Sequence, residues 1–299
     1  MEIKAFEFTP ILGWSFSRYD TFSDCKRKYY YQYYGKYDHE YKRAKIDFLK
    51  GLTSIPMEIG NISHDVIQSV LERLLKSTAP IDTEKLEAHL KNIIRSRLEK
   101  NFFETYYDEL EKIELDQLFE KTIACLNNFL SSERFEWIKD KAIAEKDNWL
   151  IEPSKYGESR LDGLKLYCKV DFLIPFEEKI FILDWKTGKK DGDKYSKQLV
   201  GYAAWASYHL DRVASDIEPI IAYLHPEYEE ISVKPTDDEL IEYKERIFSQ
   251  TEEMYGFCKN YEENIPLAKE AFPMLEDTVL CRYCNYKELC HKNYLDICH

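Results

Sequence analysis

The chain has 299 residues, a formal net charge of −13 and 44% hydrophobic residues. This composition is typical of a folded globular protein, and the length allows one large core or two smaller ones. No apolar run approaches the ~18 residues that span a bilayer. The amino terminus MEIKAFEFTP also lacks the basic and apolar blocks of an export signal. We therefore expect a cytoplasmic protein with no membrane partner.

Charge is distributed unevenly along the sequence. Residues 15–50 contain nine Lys or Arg against five Asp or Glu, and residues 186–197 contain five lysines against two aspartates. Residues 227–253 contain ten acids against three bases. The acidic total opposes a uniformly basic surface, but the two basic patches allow local contact with nucleic acid. A solvated surface is the ordinary explanation of either patch taken alone.

Hydrophobic periodicity predicts an α/β protein. Apolar residues at helical spacing predict helices over about 17–35, 58–77, 83–100 and 104–131. Strands are predicted in KAIAEKDNWLIE, LKLYCKVDFLIP and KIFILDW, with the turn-forming segments PSKYGES and PFEE between them. The pattern continues with a helix over about 194–210, strands near 217–225 and 229–234, and a last helix from a Thr236–Glu239 capping box to about Tyr261. This order predicts a helical amino-terminal region against a mixed sheet, closed by a cysteine-bearing tail.

The chain has eight cysteines and no export signal, so we expect reduced thiols and no disulfide framework. The segment CRYCNYKELC holds a C-x2-C-x5-C array of Cys281, Cys284 and Cys290. Such close spacing lets several thiolates converge on one metal ion or iron–sulfur cluster. The candidates for a fourth ligand are Cys298, His291 and Cys25. Ordinary reduced cysteines are the alternative, and packing explains the three in apolar or helical patterns, Cys125, Cys168 and Cys258.

The segment FILDWKTGKK places an acid and a base on one side of a predicted strand. Residues two apart in a strand share a face, so Asp184 and Lys186 point one way and Trp185 the other. Asp171, in KVDFLI, would end a neighbouring antiparallel strand and meet Asp184 across the ladder. Two adjacent carboxylates are tolerated when a hard divalent cation such as magnesium or manganese neutralises them. The alternative is a surface salt bridge, which contributes little.

Taken together, these motifs resemble the RecB-like branch of the PD-(D/E)XK nucleases. That branch carries an acid on one strand, an h-h-D-x-K-T-G segment on the next and a helix that begins Q-x-x-x-Y. This chain has Asp171, ILDWKTG, and KQLVGY with Gln198 and Tyr202. The branch also has a G-x-x-x-H helix before the sheet, which Gly60 and His64 match. Two departures are Cys168-Lys169 in place of the usual glycine, and Lys26 in place of a proline.

A subgroup of this branch holds a 4Fe-4S cluster with one amino-terminal and three carboxyl-terminal cysteines, as in the AddB subunit, the CRISPR adaptation nucleases and exonuclease V. The resemblance implies that the cluster ligands here are Cys25, Cys281, Cys284 and Cys290. It also implies a restriction-endonuclease-like α/β fold over 1–299, with a mixed central sheet flanked by helices. Within it we expect a helical region at 17–135, a catalytic core at 140–262 and an iron–sulfur tail at 263–299 that pairs with Cys25.

The resemblance further implies the roles of the site residues. Asp171 and Asp184 would bind catalytic Mg²⁺ or Mn²⁺, and the other ligands would be His64 and the Trp185 carbonyl. Lys186 would orient the attacking water and stabilise the phosphate in the transition state. Gln198 and Tyr202 would position the lysine or the scissile strand. Glu145, on the predicted preceding strand, is a weaker candidate that is better explained as a surface acid.

Contacts with DNA are expected from two groups of basic residues, Lys26, Arg27 and Lys28, and Lys189, Lys190, Lys194 and Lys197. Most tyrosines between 29 and 34 are expected to be buried, because they cover more than one helix face. The leading hypothesis is a metal-dependent DNA nuclease, with exonuclease action on single strands or DNA ends favoured. Such enzymes serve repair, antiviral defence and spacer acquisition. The alternatives are a catalytically silent module that binds DNA or a helicase or integrase, and zinc in place of the iron–sulfur cluster.

Overall fold

A computed structural model describes residues 4, 6–153, 158–275 and 278–291, apart from the side chains of residues 192–194 and 278. The chain divides into two compact units. The first unit comprises Met1–Phe6, Thr53–Gly157 and Cys168–Lys244. The second unit comprises Glu7–Leu52, Glu158–Tyr167 and Glu245–His299. None of the helices in the described part of the chain combines the length and apolar character that a membrane crossing requires.

Helices dominate the secondary structure. The twelve α-helices of the described residues are α1 (Phe16–Asp24), α2 (Lys26–Tyr34), α3 (Arg43–Lys50), α4 (Ile55–Leu74), α5 (Thr83–Arg97), α6 (Phe103–Tyr106), α7 (Leu115–Leu130), α8 (Glu133–Asp140), α9 (Gly192–Leu210), α10 (Asp237–Tyr255), α11 (Thr278–Arg282) and α12 (Lys287–Cys290). The strands are β1 (Leu150–Ile151), β2 (Ser159–Leu161), β3 (Leu164–Leu166), β4 (Phe172–Phe176), β5 (Lys179–Lys186), β6 (Ile217–Tyr223), β7 (Glu229–Ser232), β8 (Cys258–Asn260) and β9 (Ile265–Pro266).

The first unit is built on a five-stranded sheet in the order β1-β4-β5-β6-β7. Strands β5 and β6 are parallel, and the other neighbours are antiparallel. Parallel neighbours need a crossover connection, which α9 supplies between β5 and β6. The predicted mixed sheet with flanking helices is therefore confirmed.

One apolar core of the first unit lies between the sheet and a layer of helices. α4 and α7 pack against each other, and α5 packs against both. The ring of Phe129 on α7 meets that of Trp185 on β5 edge to face, with 5.1 Å between centroids. Each fully buried apolar side chain contributes ~1.5–3 kcal/mol. The stripe that α4 supplies consists of Ile59, Ile62, Val66, Ile67, Val70, Leu71 and Leu74.

Helix α9 packs on β6. A Cβ at Gly201 would lie 2.4 Å from the Tyr243 hydroxyl oxygen, so a larger residue here would displace the Tyr243 ring. Neighbouring α9 residues Leu199, Ala203 and Ala206 are fully buried. This packing fixes the helix that carries Gln198 and Tyr202.

Two helix predictions are wrong in their continuity. The predicted helix over 17–35 is two helices, because Cys25 is extended (φ −157°, ψ 111°) and its Sγ accepts a hydrogen bond from the Lys28 N–H as the cap of α2. The predicted helix over 104–131 is also two helices, and the segment between α6 and α7 includes Asp108 in the left-handed region (φ 57°). In both predictions the apolar residues continue at helical spacing across the break. This spacing was given more weight than the polar residues that can end a helix. Four further helices, α3, α8, α11 and α12, were not predicted.

Two strand predictions need correction. KAIAEKDNWLIE is mainly a 3-10 helix over Ala142–Asn148, closed by a hydrogen bond from the Trp149 indole to the Ala142 carbonyl, and only β1 is extended. LKLYCKVDFLIP forms β3 and β4, which belong to different sheets.

The Thr236–Glu239 capping box of the last long helix is confirmed. The last long helix, however, ends at Tyr255, so Cys258 lies on β8 and not on a helix. Part of the predicted turn PSKYGES, 154–157, lies outside the described residues.

The second unit is organised around α2 and two short hairpins. Tyr29, Tyr30, Tyr31 and Tyr34 on α2 are buried, as predicted. The Arg18 guanidinium lies 4.5 Å from the Tyr33 ring centroid, and its Nε donates to the Tyr29 hydroxyl. The hairpins are β2-β3 and β8-β9.

A buried ion pair anchors the β2-β3 hairpin. The Glu158 and Lys165 side chains are each 1% exposed, and Lys165 Nζ lies 2.8 Å from Glu158 Oε2. The Thr9 N–H donates to the same oxygen at 2.9 Å, and Arg160 also contacts the carboxylate. Burial alone would raise the pKa of Glu158, but Lys165, the Thr9 N–H and Arg160 together hold it below its usual value. The folded protein therefore favours the ionised form of the Glu158 carboxyl group.

We predict that Glu158→Gln lowers the free energy of unfolding by about 3–5 kcal/mol at neutral pH, because it leaves Lys165 buried without its anion. A depressed pKa stabilises the fold above the unfolded value of about 4.5 and loses that effect as the pH falls. The difference between wild type and variant should thus narrow below about pH 4.5 in chemical denaturation. The control is Glu262→Gln, an exposed acid of the same unit. A difference that persists unchanged in acid would contradict the prediction.

Candidate active site

Two buried carboxylates lie opposite each other, where β4 begins and β5 nears its last residue. Phe172 pairs with Leu183, so Asp171, one residue before β4, falls opposite Asp184. The Asp171 and Asp184 residues are 7% and 3% exposed. Asp171 Oδ2 accepts a hydrogen bond of 2.9 Å from the Trp185 N–H. The predicted meeting of the two acids across the ladder is present in the structure.

Asp184 is held by three side chains. The Tyr202 hydroxyl donates to Asp184 Oδ1 at 2.5 Å, and Gln198 Nε2 donates to the Tyr202 oxygen at 2.6 Å. Lys186 Nζ lies 2.5 Å from Asp184 Oδ2 as an ion pair. Among the residues that the structure describes, this ion pair is the contact of that buried oxygen, which completes no hydrogen bond of acceptable geometry. One oxygen of Asp184 is thus oriented by α9, and the other retains acceptor capacity.

His64 approaches the acids from α4. This helix begins after Ser54, whose hydroxyl caps the Met57 N–H. His64 Nε2 lies 3.0 Å from the Trp185 carbonyl oxygen, and Nδ1 lies 3.4 Å from Asp171 Oδ1. His64, Asp171 and the Trp185 carbonyl therefore converge, and their role as metal ligands stays a prediction.

The two acids have opposite electrostatic surroundings. Burial opposes ionisation of Asp171, but the His64 hydrogen bond and charge, the Trp185 N–H and Lys186 hold its pKa below the usual value. Burial and the neighbouring charge of Asp171 raise the pKa of Asp184. Burial would lower the pKa of His64, yet Asp171 and Asp184 raise it to about 9. The site thus attracts positive charge, which is the electrostatic condition for binding a cation.

Glu152 belongs to the site, although the sequence analysis missed it. It follows β1 in a left-handed conformation (φ 40°), and its N–H donates to the Asp171 carbonyl at 2.8 Å. Its carboxylate contacts Lys169 Nζ at 2.7 Å. The weaker candidate Glu145 lies in a 3-10 helix and not on a strand, and it is exposed, as a surface acid should be. An acid directly after the apolar residues WLI was the available signal for Glu152.

The donor set fits a hard divalent cation. One potential ligand atom from each of His64, Glu152 and Asp171 lies within 4.8 Å of the others. The Trp185 carbonyl and Asp184 Oδ2, which faces Lys186, add two further oxygen donors. Oxygen-rich sets of this kind suit magnesium and manganese.

The predicted DNA-binding residues differ in their surroundings. Lys189 and Lys197 are exposed, and Lys190 pairs with Glu229. The Lys194 side chain lies outside the described residues. In the second unit, Lys28 is half-buried, Lys26 pairs with Glu253 at 3.1 Å and Arg27 Nε donates to the Phe272 carbonyl at 2.8 Å. DNA contact by either group stays a prediction.

The four predicted cluster cysteines all belong to the second unit. Burial, followed by the charges of Cys284, Cys25 and Cys281, raises the pKa of Cys290 to about 12. The charges of the other three thiols thus act on Cys290, and binding of a cluster by the four cysteines stays a prediction. Of the other candidates, His291 ends α12 and Cys298 lies outside the described residues.

The remaining cysteines have different surroundings. Cys125 is buried in the first core, as predicted. Cys168 precedes the active-site acids, and burial and the charge of Asp184 raise the pKa of its thiol. It therefore lies beside the active site as well as filling space.

The PD-(D/E)XK nuclease superfamily matches residues 13–291, so the chain belongs to this superfamily. A candidate exonuclease from Eubacterium rectale has 14% identity and a TM-score of 0.47, over 89% of this chain and 90% of the other. The structure of SSO0001 has 17% identity and a TM-score of 0.29, over 74% of this chain and 96% of the other. No curated protein matches the chain. The superfamily prediction is confirmed, and the RecB-like branch stays a prediction.

We predict that Glu152→Gln weakens Mn²⁺ binding at least about tenfold, because an anionic ligand becomes neutral. Glu145→Gln is the matched control and should leave the affinity unchanged, since that acid is not in the site. Isothermal titration of the two variants and wild type with Mn²⁺ measures the effect. Equal affinities for all three proteins would remove Glu152 from the ligand set.

Proposed function

We propose that the protein is a divalent-metal-dependent deoxyribonuclease that hydrolyses phosphodiester bonds. The observation that carries the proposal is the buried Asp171–Asp184 pair with Lys186 beside it and His64 against it. Membership of a nuclease superfamily supports the reaction class. An intact set of acids and lysine argues against a catalytically silent module, because such a module has no need of buried charges at this cost.

The side chains divide the catalytic work. Asp171, Asp184, Glu152, His64 and the Trp185 carbonyl would hold Mg²⁺ or Mn²⁺, which supplies Lewis acidity towards water and the phosphate. Lys186 carries a fixed positive charge that can orient the attacking water and stabilise charge developing on the phosphate oxygens. Tyr202 and Gln198 orient Asp184 through the hydroxyl bond described above. Each role uses an atom whose position the neighbouring elements fix.

The proposed substrate is single-stranded DNA or a DNA end, cut by exonuclease action. Exposed Lys189 and Lys197 lie next to β5 and on α9, where they can contact the phosphates on either side of the cut. The overall charge of −13 opposes tight binding along a long duplex. Protein partners of the helicase or integrase class would bring DNA to such a site.

A 4Fe-4S cluster bound by Cys25, Cys281, Cys284 and Cys290 is the second part of the proposal. Two buried atoms near these cysteines, Tyr31 Oη and His291 Nε2, complete no hydrogen bond among the described residues. The Tyr31 ring packs on that of Tyr286 with 5.5 Å between centroids, and His291 directly follows Cys290. Buried polar atoms without a partner beside the Cys290 thiol fit the sulfur acceptors of a cluster.

We predict that Asp184→Asn and Lys186→Ala each lower kcat on labelled single-stranded DNA by at least about 100-fold. Only Asp184→Asn should also weaken Mn²⁺ binding, because Lys186 is not a ligand. Lys179→Ala is the control, since this exposed lysine lies at the other end of β5. Wild type and Asp184→Asn with equal activity would contradict the assignment of the site. DNA binding without turnover by wild type in every metal would favour the silent module.

We predict that anaerobically purified wild type is brown and contains about four iron atoms and four acid-labile sulfides per chain. Cys25→Ser and Cys290→Ser should lose the colour, and Cys258→Ser should keep it because Cys258 lies on β8. Absorbance, iron and sulfide are measured on the same samples. A colourless protein with one zinc ion per chain would replace the cluster with the zinc alternative.

A further inference from the structure

An aromatic side chain that no motif accounts for lies next to the catalytic lysine. Tyr195 is near the start of α9, and its ring centroid is 5.2 Å from Lys186 Nζ. The ring also meets that of Tyr223, the last residue of β6, edge to face with 5.9 Å between centroids. Strand β6 is the parallel neighbour of β5. The ring is therefore fixed beside the reacting group by two elements of the first unit.

The two tyrosines differ in their exposure to solvent. Tyr223 is fully buried, and its hydroxyl accepts a hydrogen bond of 3.3 Å from the Asp191 N–H. Tyr195 is half-buried, so part of its ring contacts solvent. Lys190 Nζ lies 6.0 Å from the Tyr223 centroid, and Lys189 and Lys197 are exposed nearby in sequence. Tyr223 thus supports a half-buried aromatic ring that lies next to Lys186.

We propose that Tyr195 stacks on the base of a nucleotide next to the scissile phosphate and thereby selects unpaired nucleotides. This inference rests on the proposed nuclease function. Lysines that contact phosphates next to an aromatic ring that receives a base are the combination that binds single-stranded nucleic acid. A base within a duplex has both faces covered by its neighbours, so stacking on Tyr195 requires a single strand or a frayed end.

The alternative explanation is that the Tyr195 ring only restrains the Lys186 side chain. An ammonium group within about 6 Å of a ring centroid is attracted to the ring, and the Lys186–Tyr195 distance meets this condition. The two explanations differ in one respect. Restraint of Lys186 affects every substrate equally, whereas stacking affects only substrates that carry a base at the contacted position.

The test uses single-stranded oligonucleotides with one cleavable linkage, all others being blocked, and with either a base or an abasic residue on each side of it. Tyr195→Ala should lower kcat/KM on the intact strand about 10- to 100-fold, the effect expected for loss of one base stack. Removing the base should cost wild type a similar factor and the variant almost nothing. Tyr195→Trp should retain the activity, because a larger ring still stacks.

Tyr208→Ala is the matched control. Tyr208 is a half-buried tyrosine on the same helix, and 13 residues separate it from Tyr195, which is about 20 Å along a helix. It should behave like wild type on every substrate. Equal losses for Tyr195→Ala on intact and abasic strands would assign the ring to Lys186 alone, and no loss on either would remove it from the site. Both results overturn the proposal.

A binding measurement tests the stacking proposal separately from the proposed nuclease function, because it does not depend on cleavage. The Asp184→Asn protein binds DNA without cutting it, and its affinity for intact and abasic strands is measured by fluorescence anisotropy with Ca²⁺ present. Adding Tyr195→Ala should weaken binding of the intact strand about 10- to 100-fold and leave binding of the abasic strand unchanged. The same loss on both strands would overturn stacking, whatever the activity of the wild type.

Discussion

The apposition of Asp171 and Asp184 is the constraint on which the first unit depends. Two carboxylates almost without contact with water repel each other and lose hydration, so each needs compensating partners. Asp171 is compensated by a main-chain N–H and by His64, and Asp184 by Tyr202 and Lys186. Three elements besides the two strands thus converge on one point: α4, α9 and the residue after β1.

The rest of the first unit keeps these partners in place. The alternation of β5 puts Trp185 into the apolar core and Asp184 on the opposite face, where α9 covers it. The same residue, Trp185, supplies its N–H to Asp171 and its carbonyl to His64. Packing of the indole therefore fixes two polar contacts of the site. A change in the core at this position acts on the chemistry through the backbone.

Much of the site was predictable from the sequence, because its residues are tied to regular elements. The strand period predicts that Asp184 and Lys186 share a face, and the helical period places Gln198 and Tyr202 one turn apart. Glu152 and Tyr195 were missed for a different reason. Glu152 follows a strand of only two residues after a 3-10 helix, a segment without clear periodicity. Tyr195 gains its importance from Lys186 and Tyr223, which are adjacent only in the folded chain.

The left-handed backbone at Glu152 sets stability against function. A non-glycine residue in this region costs about 1–3 kcal/mol, and glycine would adopt the same conformation without that penalty. Folding by itself thus disfavours the side chain that we propose as a ligand of the cation. At this position the chain accepts a strained backbone and lower stability together with a third acidic group. A more stable variant that keeps the proposed ligand would have to keep this strained residue.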